Sequence, residues 1–312
     1  YSSDKPPGTK GYFLTKEAQI QLGTDSNYLT DHLAETAVKQ IERVEDDPFF
    51  LYFAFHVPHT PIQGREDLVA DFTEKVDPAA THRNPTYAAM VSSMDLAVGR
   101  VLDTIKTRGL TDETLVIFTS DNGGLTQRYG KHDGFTENLP LRLGKGSAYE
   151  GGVRVPMIVN WPGVTEAGAV CDEPVMGIDF LPTLQEVAGI ESDAVVDGTS
   201  LAPLFTNPDA ALDRDLFWHF PHYHAGGESP YSAIRSGDWK LIEFHEDRSV
   251  ALYDLSHDLG ESNNLAAEMP DRAQALRSKL DHWRTSTGAQ MPSENALFDP
   301  ARATQVRGRK PK

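Results

Sequence analysis

Three short apolar runs constrain the fold of this chain more than any other feature. Residues 49–57, 114–119 and 155–161 are almost continuously hydrophobic, as strands buried on both faces are. Helical periodicity fills the intervals between them. Leu29, Leu33, Ala37, Ile41 and Val44 share one helical face, with Asp31 placed as a cap. Tyr87, Met90, Met94, Ala97, Val101 and Ile105 form a second stripe, which Gly109 closes. A third helix is expected over 179–188, ending at Gly189. Strands alternating with helices predict an α/β fold with a mostly parallel sheet flanked by helices. In such sheets ligands sit beyond the carboxyl ends of the strands. His56, Pro58 and His59 fall at one such end, and Asp121 with Asn122 at another.

The texture changes after residue 205. Short strand-like segments at 216–220, 231–235, 239–245 and 251–255 are separated by turn residues such as Gly237-Asp238. They predict a small antiparallel sheet. Ala273, Leu276, Leu280 and Trp283 then mark a packing helix. The expected organisation is an α/β core over 1–205, a C-terminal α+β subdomain over 206–290 and a basic tail over 291–312.

Composition narrows the function. A formal net charge of −17 argues against nucleic acid, whose binding requires phosphate-neutralising Lys and Arg. An anion site on so acidic a chain must be a local positive focus of cation, Lys and His. No apolar run approaches the roughly 20 residues that span a bilayer, and the polar segment 1–11 does not read as a leader. Cys171 is the only cysteine, so no intrachain disulfide forms. Its acidic neighbours Asp172 and Glu173 disfavour a thiolate.

Two strings carry chemistry. Asp121-Asn122-Gly123-Gly124 follows a predicted strand and offers oxygen ligands only, the preference of Ca²⁺ or Mg²⁺. Two donors fall short of the six to eight that Ca²⁺ takes, and the same string makes a good turn in any loop. The second string is Lys145-Gly146-x-x-Tyr149-Glu150-Gly151-Gly152-Val153-Arg154. Its lysine, flanked by glycines, can approach an anionic oxygen as a point charge. His59 lies between Pro58 and Pro61 and can donate a proton to a leaving group. His219, His222 and His224 surround Tyr223 in a cluster suited to sugar recognition.

The ordered motifs resemble those of type I, formylglycine-dependent sulfatases. They are Pro58-His59-x-Pro61, Met94-Asp95-x-x-Val98-Gly99-Arg100, Thr119-Ser120-Asp121-Asn122-Gly123 and the Lys145 to Arg154 string. Ile234-Arg235-x-Gly237-Asp238-Trp239-Lys240-Leu241 and Leu252-Tyr253-Asp254-Leu255 extend the match. The resemblance implies an alkaline-phosphatase-like fold and hydrolysis of sulfate esters. It also implies Asp121 and Asn122 as two ligands of one Ca²⁺ ion. Lys145 would contact the sulfate, His59 would be the proton donor, and Arg154, His219, His222 and His224 would bind substrate. A sulfated carbohydrate is the expected partner, in an exported protein.

The nucleophile motif Cys/Ser-x-Pro-x-Arg is absent from the sequence. The resemblance therefore implies the C-terminal larger part of a sulfatase. Formylglycine is expected in a preceding segment, and this chain alone is expected to be inactive and to bind Ca²⁺ weakly. Two alternatives stand beside this reading. One is a non-catalytic binder of sulfated glycans; the other is a related phosphoester hydrolase, against which Asn122 in place of a histidine argues.

Overall fold

The computed structural model describes residues 9–45, 47–126, 134–223 and 229–297. Its contacts divide the chain into two compact units. The first comprises Tyr1–Leu139, Leu143–Lys145 and Gly151–Leu212, and the second Pro140–Arg142, Gly146–Glu150 and Asp213–Lys312.

The first unit opens with a small antiparallel hairpin, β1 (Thr9–Lys10) and β2 (Phe13–Leu14). Helix α1 (Lys16–Leu22) is capped by Thr15, which accepts from the Ala18 amide, and stops at Gly23 in the left-handed region. Helix α2 (Leu29–Arg43) begins after Tyr28 with no side-chain cap. The predicted cap, Asp31, lies inside the first turn and accepts instead from Ser26 Oγ at 3.0 Å. Helices α3 (Glu66–Glu74) and α4 (Pro85–Thr107) follow. Asn84 caps α4 through the Tyr87 amide, and Pro85 fills the first helical position, where its missing N–H is harmless. Gly109 ends α4 with φ at 73°, as its sequence position predicts. Tyr12, Leu14, Tyr28, Leu29, Val57 and Met90 form the core beneath these helices.

Strands β3 (Val116–Thr119) and β4 (Met157–Asn160) pair with Thr119 opposite Met157. The short helix α5 (Glu150–Val153) lies between them in sequence. Helices α6 (Phe180–Val187) and α7 (Ala202–Thr206) complete this part, around Leu201, Leu204 and Phe205. Two expectations need correction here. The β3–β4 pair is antiparallel, and no parallel ladder forms among the described residues. The 49–57 run is not assigned as a strand, and Phe50 and Tyr52 are 74% and 75% exposed. Apolarity says what a strand's two faces can bury; a ladder also needs a backbone partner, which the run itself does not supply.

The second unit is a four-stranded antiparallel meander, β5 (Asp215–Phe220), β6 (Tyr231–Ser236), β7 (Trp239–Phe244) and β8 (Val250–Asp254), in that order. Its register sets Phe217, Ile234, Leu241 and Leu252 in one cross-strand row. Helix α8 (Pro270–Ser286) lays Ala273, Leu276 and Leu280 against that row. Phe217 stacks on Trp283 with ring centroids 5.0 Å apart. No helix among the described residues is long and apolar enough to cross a membrane.

Candidate active site

The two chemical strings meet through their backbones. The Gly123 amide donates to Gly152 O and the Lys145 amide to Gly124 O, both at 3.0 Å. The contact depends on glycine. A Cβ on Gly123 would lie 1.7 Å from Gly151 O, and one on Gly144 would lie 2.1 Å from Gly124 O. Strand β3 thus delivers Asp121 and Asn122 to a turn that is sewn directly to the Lys145 backbone and to the Gly151-Gly152 bend.

Asn138 fastens the same place, and it lies outside every motif read from the sequence. Its Nδ2 lies 3.0 Å from each of Gly124 O, Leu143 O and Gly151 O. One amide group therefore serves three loop carbonyls. Leu143 has φ at 57°, a left-handed conformation held beside this contact.

The donor set of the turn suits a hard cation in kind but is small in number. Asn122 Nδ2 donates to Gly123 O at 2.9 Å, which leaves Oδ1 as its candidate ligand atom. The Asp121 side chain is exposed. Among the described residues no group of three His, Cys, Asp or Glu side chains is placed to hold a metal. Asp121 and Asn122 are thus an all-oxygen partial set. A formylglycine finds no fit in this chain: Cys171 is exposed and lies in no nucleophile motif.

His59 sits in the loop that follows the 49–57 segment, in the same unit. Its Nδ1 lies 2.8 Å from Thr60 O. A carbonyl only accepts, so Nδ1 carries the proton of this hydrogen bond. His56, one turn earlier, contributes its carbonyl oxygen, which accepts from the His59 amide at 2.9 Å. Lys145 is half-buried and Arg154 exposed.

The histidines of the C-terminal cluster belong to the second unit. His219 Nδ1 lies 2.7 Å from Ser232 Oγ and Nε2 lies 2.7 Å from Gln290 O. Ser232 in turn meets His245 Nε2 at 2.9 Å and Arg284 at 3.3 Å. Both ring nitrogens of His219 are therefore engaged inside the subdomain. His222 is exposed and lies against Phe220, with ring centroids 4.1 Å apart. His224 lies outside the described residues.

Sequence reading also misses a buried ionic cluster in the second unit. Lys240 Nζ lies 2.8 Å from Glu150 Oε1 and 3.0 Å from Glu261 Oε1, and Arg235 lies 3.6 Å from Glu150. Glu261 Oε2 also accepts from the Glu150 amide at 2.6 Å. Burial pushes the Glu261 carboxyl above its usual range, against the pull of Lys240. A lysine in the middle of a strand hints at such a partner only once the strand is known to be buried.

The chain is similar in sequence and fold to known proteins. A family model described as Sulfatase matches residues 2–190, and one described as N-sulphoglucosamine sulphohydrolase, C-terminal, matches residues 143–286. A sulfatase of Formosa agariphila is 40% identical over 289 residues, covering 84% of this chain and 51% of its own length. Arylsulfatase A of Homo sapiens is 35% identical over 259 residues, covering 75% of this chain and 48% of its own length. The chain spans about half the length of these curated relatives. The crystal structure of Ps i-CgsB in complex with k-i-k-neocarrahexaose aligns with a TM-score of 0.72 at 30% identity, over 86% of this chain and 57% of that one. BT4656 in complex with its substrate D-glucosamine-2-N,6-O-disulfate aligns with a TM-score of 0.70 at 19% identity, over 86% and 72%, a likeness of fold alone. The fold is the alkaline-phosphatase-like α/β fold of these proteins, with its C-terminal antiparallel sheet and helix. The chain belongs to the sulfatase family.

Proposed function

We propose that this chain carries the cation- and anion-binding part of a sulfate ester hydrolase whose substrate is a sulfated carbohydrate. The observation that supports the reading is the backbone seam that joins Asp121-Asn122-Gly123-Gly124 to Lys145. Asp121 and Asn122 Oδ1 would hold Ca²⁺. When bound, the ion supplies positive charge that stabilises developing negative charge on sulfuryl oxygens. Lys145 adds a point charge for the same anion. His59, with Nδ1 committed to Thr60 O, gives the Nε2 proton to the departing alcohol oxygen. Arg154, His222 and His224 are the proposed sugar and sulfate contacts, with His219 as a support from behind. Export follows from a substrate class met outside cells.

The test titrates Ca²⁺ and inorganic sulfate into the chain by calorimetry, alongside an aryl sulfate turnover assay. Weak Ca²⁺ binding, about millimolar, that disappears in Asp121→Ala supports the reading, as does sulfate binding lost in Lys145→Met. No turnover is expected from this chain alone. Ca²⁺ binding unchanged in Asp121→Ala would sink the metal assignment. A second reading is a non-catalytic binder of sulfated glycans. Glycan binding that survives Lys145→Met and is lost on replacing His222 would favour it.

A further inference from the structure

We propose that Tyr12 is the positioning residue for His59. Its phenolic hydroxyl bridges the carbonyls that open and close the His59 turn, and so presents the imidazole with Nε2 outward. This rests on the reading of His59 as a proton donor; the geometry itself does not.

The loop from 57 to 62 is poor in its own donors. Pro58 and Pro61 have no N–H, so its carbonyls must find donors elsewhere. Tyr12 supplies one. Its Oη lies 2.6 Å from His56 O and 2.9 Å from His59 O. The His59 amide closes the same turn by donating to His56 O at 2.9 Å. Three hydrogen bonds thus converge on one short arc of backbone, and the arc ends on His59, which is exposed. Beyond it, His59 Nδ1 meets Thr60 O at 2.8 Å. The orientation of the Thr60 carbonyl depends on the turn, and the turn on the Tyr12 hydroxyl.

Tyr12 is itself immobilised. It is 1% exposed in the core. Its amide donates to Gln63 Oε1 at 2.9 Å and its carbonyl accepts from the Leu29 amide at 2.8 Å. Gly11 precedes it for a steric reason: a Cβ there would lie 1.8 Å from Gln63 Oε1, and its φ is +66°. Burial raises the Tyr12 phenol well above its ordinary value, so the hydroxyl keeps its proton at any working pH. Tyr28 provides an internal comparison. It is equally buried and donates to Gln63 O at 2.8 Å, yet its hydroxyl serves the chain beyond the His59 turn.

The experiment uses the full chain with ¹⁵N-labelled histidine, reading ring-nitrogen shifts, which report the tautomer. His59 is identified by the signal lost in His59→Gln. The wild type is expected to show His59 locked with Nδ1 protonated when neutral. In Tyr12→Phe the His59 shifts should move toward the average of both tautomers, while His32 and His257 stay in place. Tyr28→Phe should leave His59 unmoved. A wild-type His59 that is already averaged, or one unmoved by Tyr12→Phe, overturns the proposal. So does an equal response to Tyr28→Phe, which would mean packing alone. The wild-type measurement stands even if Tyr12→Phe does not fold. Failure of the proton-donor reading shows elsewhere, as turnover in a complete sulfatase that does not respond to replacing this histidine.

Discussion

Lys240 Nζ donates to Glu150 Oε1 across 2.8 Å with both side chains almost wholly shut off from water. Glu261 stands on the other side of the ammonium at 3.0 Å, wholly buried, and φ at its backbone is +49°. Two carboxylates, this lysine and Arg235 make a balanced set of charges. Such a set is neutral toward stability while complete and unfavourable once broken. Replacing Lys240 with Met keeps most of the volume and leaves two buried carboxylates with one cation. The expected loss is about 3–5 kcal/mol, a large share of a domain's total stability. Urea unfolding followed by Trp fluorescence measures it. The triple variant Lys240→Met with Glu150→Gln and Glu261→Gln should recover much of the loss.

Acid should loosen the second unit through His245. Burial lowers its pKa below the ordinary 6.5, assisted by Arg284 and opposed by Glu243. The unfolded chain then binds this proton more readily than the folded one. The stabilising contribution is complete above pH about 6.5 and is lost as pH falls through the folded value. Ser232 Oγ serves His245, His219 and Arg284 together. Melting temperatures between about pH 5 and 8 should fall toward acid, and His245→Gln should flatten that slope. An unchanged slope in the variant would assign the acid sensitivity to other groups.

Asn138 is expected to matter more than its lack of motif suggests. In Asn138→Asp the shape is kept, but an acceptor replaces the donor facing Gly124 O, Leu143 O and Gly151 O. Leaving such carbonyls without a donor costs about 1–3 kcal/mol each where they are buried. The Gly123 and Lys145 amides, which close the seam, should exchange with deuterium faster in the variant. Exchange as slow as in the wild type would show that the glycine contacts alone hold the two strings together.

What is legible in the sequence follows from how local each signal is. Helices α2, α4 and α8 and all four strands of the C-terminal meander announce themselves by apolar period, and Gly109 and Gly189 by their place after a stripe. The meeting of the 121–124 string with the Lys145 string is legible because glycines line both, and their spacing betrays a close approach. The 49–57 run marks the limit of local patterning: it is apolar throughout, yet a ladder partner is not a local property. Helix α3 escapes because none of its residues is fully buried. Tyr12 and the Glu150–Lys240–Glu261 set escape for another reason. Each acts on atoms far away in sequence, and no spacing rule reaches 44 or 90 residues along a chain.

The glycine seam gives a final pair of opposite outcomes. Gly123→Ala would drive a methyl group onto Gly151 O, a backbone atom that cannot swing aside. The seam must open or the turn must shift, at a cost on the order of 1–3 kcal/mol. Gly99 sits in the interior of α4 with nothing within 4 Å of the point a Cβ would occupy. There, Gly99→Ala removes backbone freedom from the unfolded chain and should stabilise by about 0.4–1 kcal/mol. Thermal unfolding of both variants separates the two effects by sign. Ca²⁺ binding should weaken only in Gly123→Ala, because only that substitution displaces Asp121 and Asn122. If both variants melt like the wild type, the close approach at Gly123 is not a determinant of the fold.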